Sequence, residues 1–388
     1  RGNNLRRSSE VLLELGEAPA AAAQAERALR AHQEVEARAE IVQDHLQLAL
    51  SLWHSGDQVR AGEEAEIGLQ EAAAVGNPAA IHDAAAVAAQ LALENGNARG
   101  ALRYASQTPS ADATYDWALA DLRAGALVAL GRLGQARTEG MRAVASLERE
   151  RSTLAVGPLR SAYFMSRAGP FSRLVAIHLA LGDTAAAFRV AAGLPGRALA
   201  ERLGGLADSA GPVGQTVESE RLLLRIEALE QETMSLEPAP ADAERRARLG
   251  KALDATRAGF EEHLAHAAFS PGDRQLGVGA VSLPQIQAQL AGDEAFLTFL
   301  SGPERLDLFV VRRNRVVQAS VAVGARELAV RVRVARELLA GRPGLEAYSG
   351  LGELHQLLLR PVIEAGALKG VTQLLIVPHG SLAALPFA

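Results

Sequence analysis

Few residues in this chain have the types and spacing that chemistry requires. Cysteine is absent from all 388 residues, which excludes disulfides, thiolate metal sites and a thiol nucleophile within them. His379 and Ser381 follow an apolar run and bring a base close to a hydroxyl, two parts of a Ser–His nucleophile. They stand in a Pro378-His379-Gly380 turn with no evident third partner, so a turn or packing role is expected. His263 and His266 lie three apart on an expected helix, beside Glu261 and Glu262. Helical zinc motifs space their histidines four apart around a glutamate, so these read as flanks of a helix seam. Gly277-Val-Gly279 precedes a helix, but no strand leads into it and no Gly-Lys-Ser/Thr follows, so it is not read as a phosphate loop. Arg312, Arg313 and Arg315 crowd an expected hairpin turn, where arginine ordinarily solvates the tip rather than gripping nucleic acid. No catalytic, cofactor-binding or metal residue is assigned.

The whole-chain totals narrow the classes further. The length suits two or three domains. Hydrophobic residues make up 48% of the chain and aromatic residues only 4%, so alanine and leucine dominate and small-residue helix packing is favoured. Lysine occurs only at Lys251 and Lys369. A net charge of −5 and a pI near 6.1 give no electrostatic ground for a nucleic-acid or anionic-membrane partner. No signal peptide is evident, and no apolar run approaches the ~18 residues of a membrane span. The chain begins at Arg1 and reaches an apolar run, Leu374 to Val377, just before its last residues. The expectation is a fragment open at both ends. That run reads as a strand buried on both faces in a parallel sheet, with the rest of the sheet missing and an open edge exposed.

The elements upstream fall into an order. Residues 1–206 read as helices punctuated by glycine turns. Expected helices run from about Ile41 to Trp53, Val59 to Val75, Ala79 to Glu94, Ala98 to Ala105, Tyr115 to Leu130, Gln135 to Leu147, Leu159 to Leu181 (interrupted at Gly169-Pro170) and Thr184 to Leu203. Their period is near ~40 residues, that of stacked helical hairpins. Residues 207–268 read as a linker and an antiparallel helical hairpin. Its seams are Leu222, Ile226, Leu229, Thr233, Leu236 and Leu249, Leu253, Thr256, Phe260, Leu264. In residues 269–388 a short helix from Ser282 to Leu290 precedes three meander strands, Ala295 to Leu300, Leu306 to Val311 and Val316 to Val323. Helices at about Ala325 to Leu339 and Tyr348 to Ala365 then lead to the apolar strand.

Two resemblances follow from these residues. Leu130-Gly131 and Leu181-Gly182, more loosely Ser55-Gly56 and Asn95-Gly96, with small residues after the turn in Gly182-Asp-Thr-Ala-Ala-Ala187 and Gly134-Gln-Ala136, resemble tetratricopeptide (TPR) repeats. A generic α-helical array remains the alternative, and both are α-solenoids. Ser282-Leu-Pro-Gln-Ile-Gln-Ala-Gln-Leu290, the Phe296-to-Val323 meander, Leu357-Leu-Leu-Arg-Pro-Val362, Leu375-Ile-Val-Pro-His-Gly-Ser-Leu382 and Leu385-Pro-Phe387, in that order, resemble the N-terminal part of a CHAT domain, a caspase-like fold that commonly follows TPR repeats.

The resemblance implies a mainly α chain: a TPR-like α-solenoid, a helical hairpin and the N-terminal portion of an α/β caspase-like domain. It implies a cytoplasmic protein whose intact form is a caspase-like cysteine endopeptidase or an inactive relative. The family's His-Gly and Cys lie on later strands, which falls beyond residue 388, so the chain itself is expected to be inactive and to need no cofactor. The expected partner is a protein or peptide in the groove of the repeats, with no nucleic acid and no membrane. The rival expectation is a non-enzymatic scaffold or adaptor.

Overall fold

The computed structural model describes residues 2–107, 117–153, 167–192, 283–340 and 345–387, with isolated residues between 225 and 256. Among these residues the chain is mainly α-helical, with a four-stranded mixed sheet. It divides into two compact units, one of residues 1–150 and 169–187, the other of residues 151–168 and 188–388.

The first unit is an array of helical hairpins. Its helices are α1 (Gly2–Glu14), α2 (Ala18–Gln33), α3 (Arg38–Ser55), α4 (Gln58–Val75), α5 (Pro78–Glu94), α6 (Ala98–Ala105), α7 (Trp117–Ala129), α8 (Leu133–Thr153) and α9 (Ala168–Ala180). Residues 184–187 are helical as well. The turns inside the hairpins repeat one design. At Gly56 the backbone turns left-handed, Gly56 N–H donates to Trp53 O and Asp57 N–H to Leu52 O. The same pair of bonds closes the helices at Gly16, Gly96, Gly131 and Gly182. This is the Schellman motif, which satisfies the last carbonyls of a helix and needs a residue that reaches positive φ without strain. The next residue then caps the following helix: Asp57 accepts from Arg60 N–H, Asn97 from Gly100 N–H and Asp183 from Ala186 N–H.

Small residues set the helix spacing. Ala49, Ala61, Ala65, Ala84, Ala85 and Ala89 are fully or almost fully buried with Leu46, Leu48 and Leu69 in one core across α2 to α7. A Cβ on Gly68 of α4 would come within 2.9 Å of Leu46 Cδ2 on α3. Alanines just past the turns are buried as expected, Ala136 and Ala187 both completely. The first hairpin, α1 with α2, is one the sequence reading did not delimit: Leu15-Gly16 is a turn of the same kind. Most of the expected helix before Gly169-Pro170 lies outside the described residues. Gly169-Pro170 stands in the first turn of α9, where the missing proline N–H goes unmissed.

The second unit contains α10 (Leu283–Gln289), β1 (Glu294–Ser301), β2 (Leu306–Arg312), β3 (Arg315–Val321), α11 (Ala325–Ala340), α12 (Leu345–Leu358), α13 (Arg360–Glu364), β4 (Gln373–Val377) and a 3-10 turn, Gly380–Ala384. The sheet order is β3-β2-β1-β4. The three meander strands pair antiparallel, and β4 returns through the helices to lie parallel to β1, Phe296 opposite Leu375 and Thr298 opposite Val377. One sheet face packs Leu297, Phe299, Leu308 and Val310 against Leu328 and Val332 of α11 and Leu354 and Leu358 of α12. On the other face the Phe188 ring meets Phe309 edge-on at 6.0 Å and Phe296 at 6.4 Å.

Two expectations need correction here. The single helix expected to Ala365 is two: α12 ends at Leu358 and Pro361 sits in the first turn of α13, because a mid-helix proline loses a hydrogen bond and clashes with the preceding turn. The terminal strand is not buried on both faces. Leu375 is 43% exposed, because β1 is its single strand neighbour among the described residues. Among the described residues its outer edge has no strand partner. Most of the expected 222–264 hairpin lies outside the described residues. Leu229 and Leu249 of its two seams are buried, and Arg245 bonds Glu232 at 2.9 Å.

Candidate functional sites

In the first unit, the first helices of successive hairpins, α1, α3, α5 and α7, lie side by side. That layer carries half-buried Leu50, Trp53, Ile81, Val87 and Leu122 beside the core. Charged groups tie the layer together. Arg173 of α9 donates to Asp121 of α7 at 2.8 Å. Burial pushes the Asp121 carboxyl above its ordinary range, and the Arg173 guanidinium opposes that. Arg123 bridges Glu139 of α8 and the Ala105 carbonyl.

A buried polar cluster joins α1, α2 and α3, and sequence reading missed it. His32 Nδ1 meets Asp44 Oδ2 at 2.5 Å, and Arg6 reaches Glu40 at 2.6 Å and Asp44 at 3.4 Å. Asp44 is fully buried; burial raises its carboxyl, while His32 and then Arg6 pull it back. Next to it Gln47 donates to Ser9, and Ser9 donates to the Ala21 carbonyl. One residue on, His45 pairs with Glu64 of α4 at 2.6 Å. Gly2 lies directly on the His32 ring, where a Cβ has no room. These pairings join residues on different helices with no motif spacing, so no local pattern announces them. Every polar partner is another group of the array, so the cluster fixes how the helices register on one another.

In the second unit, β1 and β4 end together at Ser301 and at the turn carrying His379. His379 is buried, and its Nδ1 accepts the Ser301 N–H at 3.1 Å. The ring proton therefore sits on Nε2. Burial lowers the His379 pKa to about 4, so the ring is neutral at pH 7. Ser381 makes no hydrogen bond with it among the described residues. The histidine thus locks the two strand ends together.

The turn arginines also have structural work. Arg312 is buried, and its guanidinium donates to the carbonyls of Gly292, Lys369 and Ala367 at 2.8, 3.1 and 3.3 Å. Arg315 donates to Gly366 O at 2.9 Å. Both hold the segment between α13 and β4, and Thr372 donates to Asp293 at 2.6 Å beside them. His263, His266, Glu261, Glu262, Gly277 and Gly279 lie outside the described residues. Among the described residues no group of His, Cys, Asp or Glu is placed to hold a metal ion, and no helix is long and apolar enough to cross a membrane.

No protein-family model matches the chain, and no curated protein matches it. The geometry therefore carries the functional argument. It offers a layered helical surface and a sheet in which β4 has no second strand neighbour among the described residues. It brings together no nucleophile and base among the described residues.

Proposed function

We propose that the chain combines a partner-binding helical array with the first part of a caspase-like α/β domain of the CHAT type. The observation that carries this reading is the parallel β1–β4 pair at the end of an antiparallel meander. A parallel neighbour requires a crossover, here α11 to α13, and so begins the layered α/β architecture that the resemblance calls for. The order of motifs agrees: repeats first, then the meander, then the Val377-Pro-His-Gly380 turn. On this reading the TPR-like array is the sensor or adaptor of a cytoplasmic cysteine endopeptidase. The family's histidine and cysteine lie on strands after the counterpart of β4, outside residues 1–388. The histidine would take the thiol proton and the thiolate would attack a peptide carbonyl.

The test is cleavage of a partner bound to the array by the natural protein that contains this chain, with and without an alkylating reagent. Cleavage that the reagent abolishes, and that residues 1–388 alone do not perform, is the expected outcome. Thiol-dependent cleavage by residues 1–388 alone would overturn the assignment, since they contain no cysteine. The second reading, a non-enzymatic adaptor, is favoured by the described polar clusters, all of which tie helices or strands together. A natural protein that binds a partner and never cleaves it would establish that reading instead.

A further inference from the structure

The second unit has a cleft of about 460 Å³ between α11 and the segment after the 3-10 turn, lined by Arg333, Arg336, Glu337, Leu339 and Pro386. Its volume lies in the range of small-ligand sites, roughly 300–1,000 Å³. Several arginines of this unit are spent on the chain itself. Arg305 bonds Asp307, Arg312 and Arg315 hold carbonyls, Arg331 pairs with Glu327 and Glu353, and Arg360 with Glu364. Arg313, Arg326, Arg333 and Arg336 have no hydrogen-bond or ion-pair partner among the described residues, and of these four Arg333 and Arg336 line the cleft. They lie three apart on one helix, where like charges are mutually unfavourable. Glu337 shares the cleft without pairing to either, so the lining keeps one net positive charge. Leu339 and Pro386 give the same cleft an apolar side.

We infer that this cleft binds an oxyanionic group, carboxylate or phosphate, carried by a small ligand with an apolar body. The planar forks of two guanidiniums match the paired oxygens of such a group, and a bound anion removes their mutual repulsion. The apolar body lies against Leu339 and Pro386. This inference does not depend on the proposed function, because it uses neither the array nor a peptidase.

The experiment is calorimetric titration of the chain, at low salt, with phenyl phosphate, 4-phenylbutyrate and inorganic phosphate. Phenyl phosphate or phenylbutyrate should bind with a Kd on the order of 0.1–1 mM, and whichever binds more tightly identifies the oxyanion. Arg336→Ala should weaken that binding about tenfold, and Glu337→Gln should tighten it about threefold by removing the like charge. Both positions are exposed, so the melting temperature should stay unchanged, which separates lost binding from lost folding. No heat with any of the three probes would overturn the site, as would equal binding by the Arg333→Ala/Arg336→Ala double variant. Inorganic phosphate binding as tightly as phenyl phosphate would overturn the apolar half of the assignment.

Discussion

The two units solve the problem of burying a chain in opposite ways. The array repeats one short device, a left-handed glycine with a capping residue, and packs alanine against leucine between helices that follow one another in sequence. The α/β unit depends on a few large side chains and on bonds between distant residues. Phe299 and Phe309 are fully buried, Ser301 bonds His379 and Asp293 bonds Thr372. In the array each turn adds its own small increment, so a lost cap is felt locally. In the sheet one missing ring or one charged histidine affects strands that only tertiary structure brought together.

Substitutions of graded size test that contrast. Phe309→Ala should cost about 4 kcal/mol, since it empties a site between β1, β2 and the Phe188 ring. Followed by hydrogen exchange, the loss should fall on β1 to β4; equal loss of protection in α3 to α6 would erase the distinction between the units. The next effect is one of pH. The ordinary histidine pKa of 6.5 falls to about 4 at His379 in the folded protein. Between those values the unfolded chain takes up a proton that the folded one does not, so stability present above pH 6.5 is lost as pH falls toward 4. The loss is about 3 kcal/mol, and denaturant titrations at pH 7 and pH 4 should show it shrinking in His379→Gln. Arg312→Ala removes the donor to three carbonyls and should cost a similar amount, about 3 kcal/mol, with Arg312→Lys recovering little because an ammonium lacks the fork.

The array should respond on a smaller scale. Gly56→Ala places a side chain at φ 93° in open space and should cost only about 1 kcal/mol, the strain of the left-handed backbone. Glu36 supplies the reverse experiment. It closes α2 with the same pair of bonds at φ 53°, though it is not glycine. Glu36→Gly should therefore stabilise the array by about 0.5 kcal/mol. A thermal melt that moves down instead would show that Glu36 has a role the turn does not explain.

The legibility of each region follows from the same contrast. Glycine turns at Gly56, Gly96, Gly131 and Gly182 were readable because their chemistry is confined to a few consecutive residues. The meander was readable because apolar runs alternate with short turns at Gly302-Pro303 and Arg313-Asn314. The cluster of His32, Asp44 and Arg6 was not readable, since its members come from three helices and share no spacing. The role of Arg312 was equally hidden: a turn arginine looks solvated until the segment at Ala367 folds over it. The cleft with Arg333 and Arg336 depends on where Pro386 comes to lie, which no helical pattern records.

The sequence by itself determined most of the helices and the glycine stops between them, the strand meander and the absence of any thiol, because those follow from periodicity, backbone freedom and composition. Only the tertiary structure decided that β4 lies parallel to β1 with its other edge open among the described residues, that His379 is held neutral against Ser301, and that two arginines are left unpaired in a cleft. Each of these depends on what lies beside a residue after the chain has folded back on itself, and burial, pairing and charge are set by such neighbours.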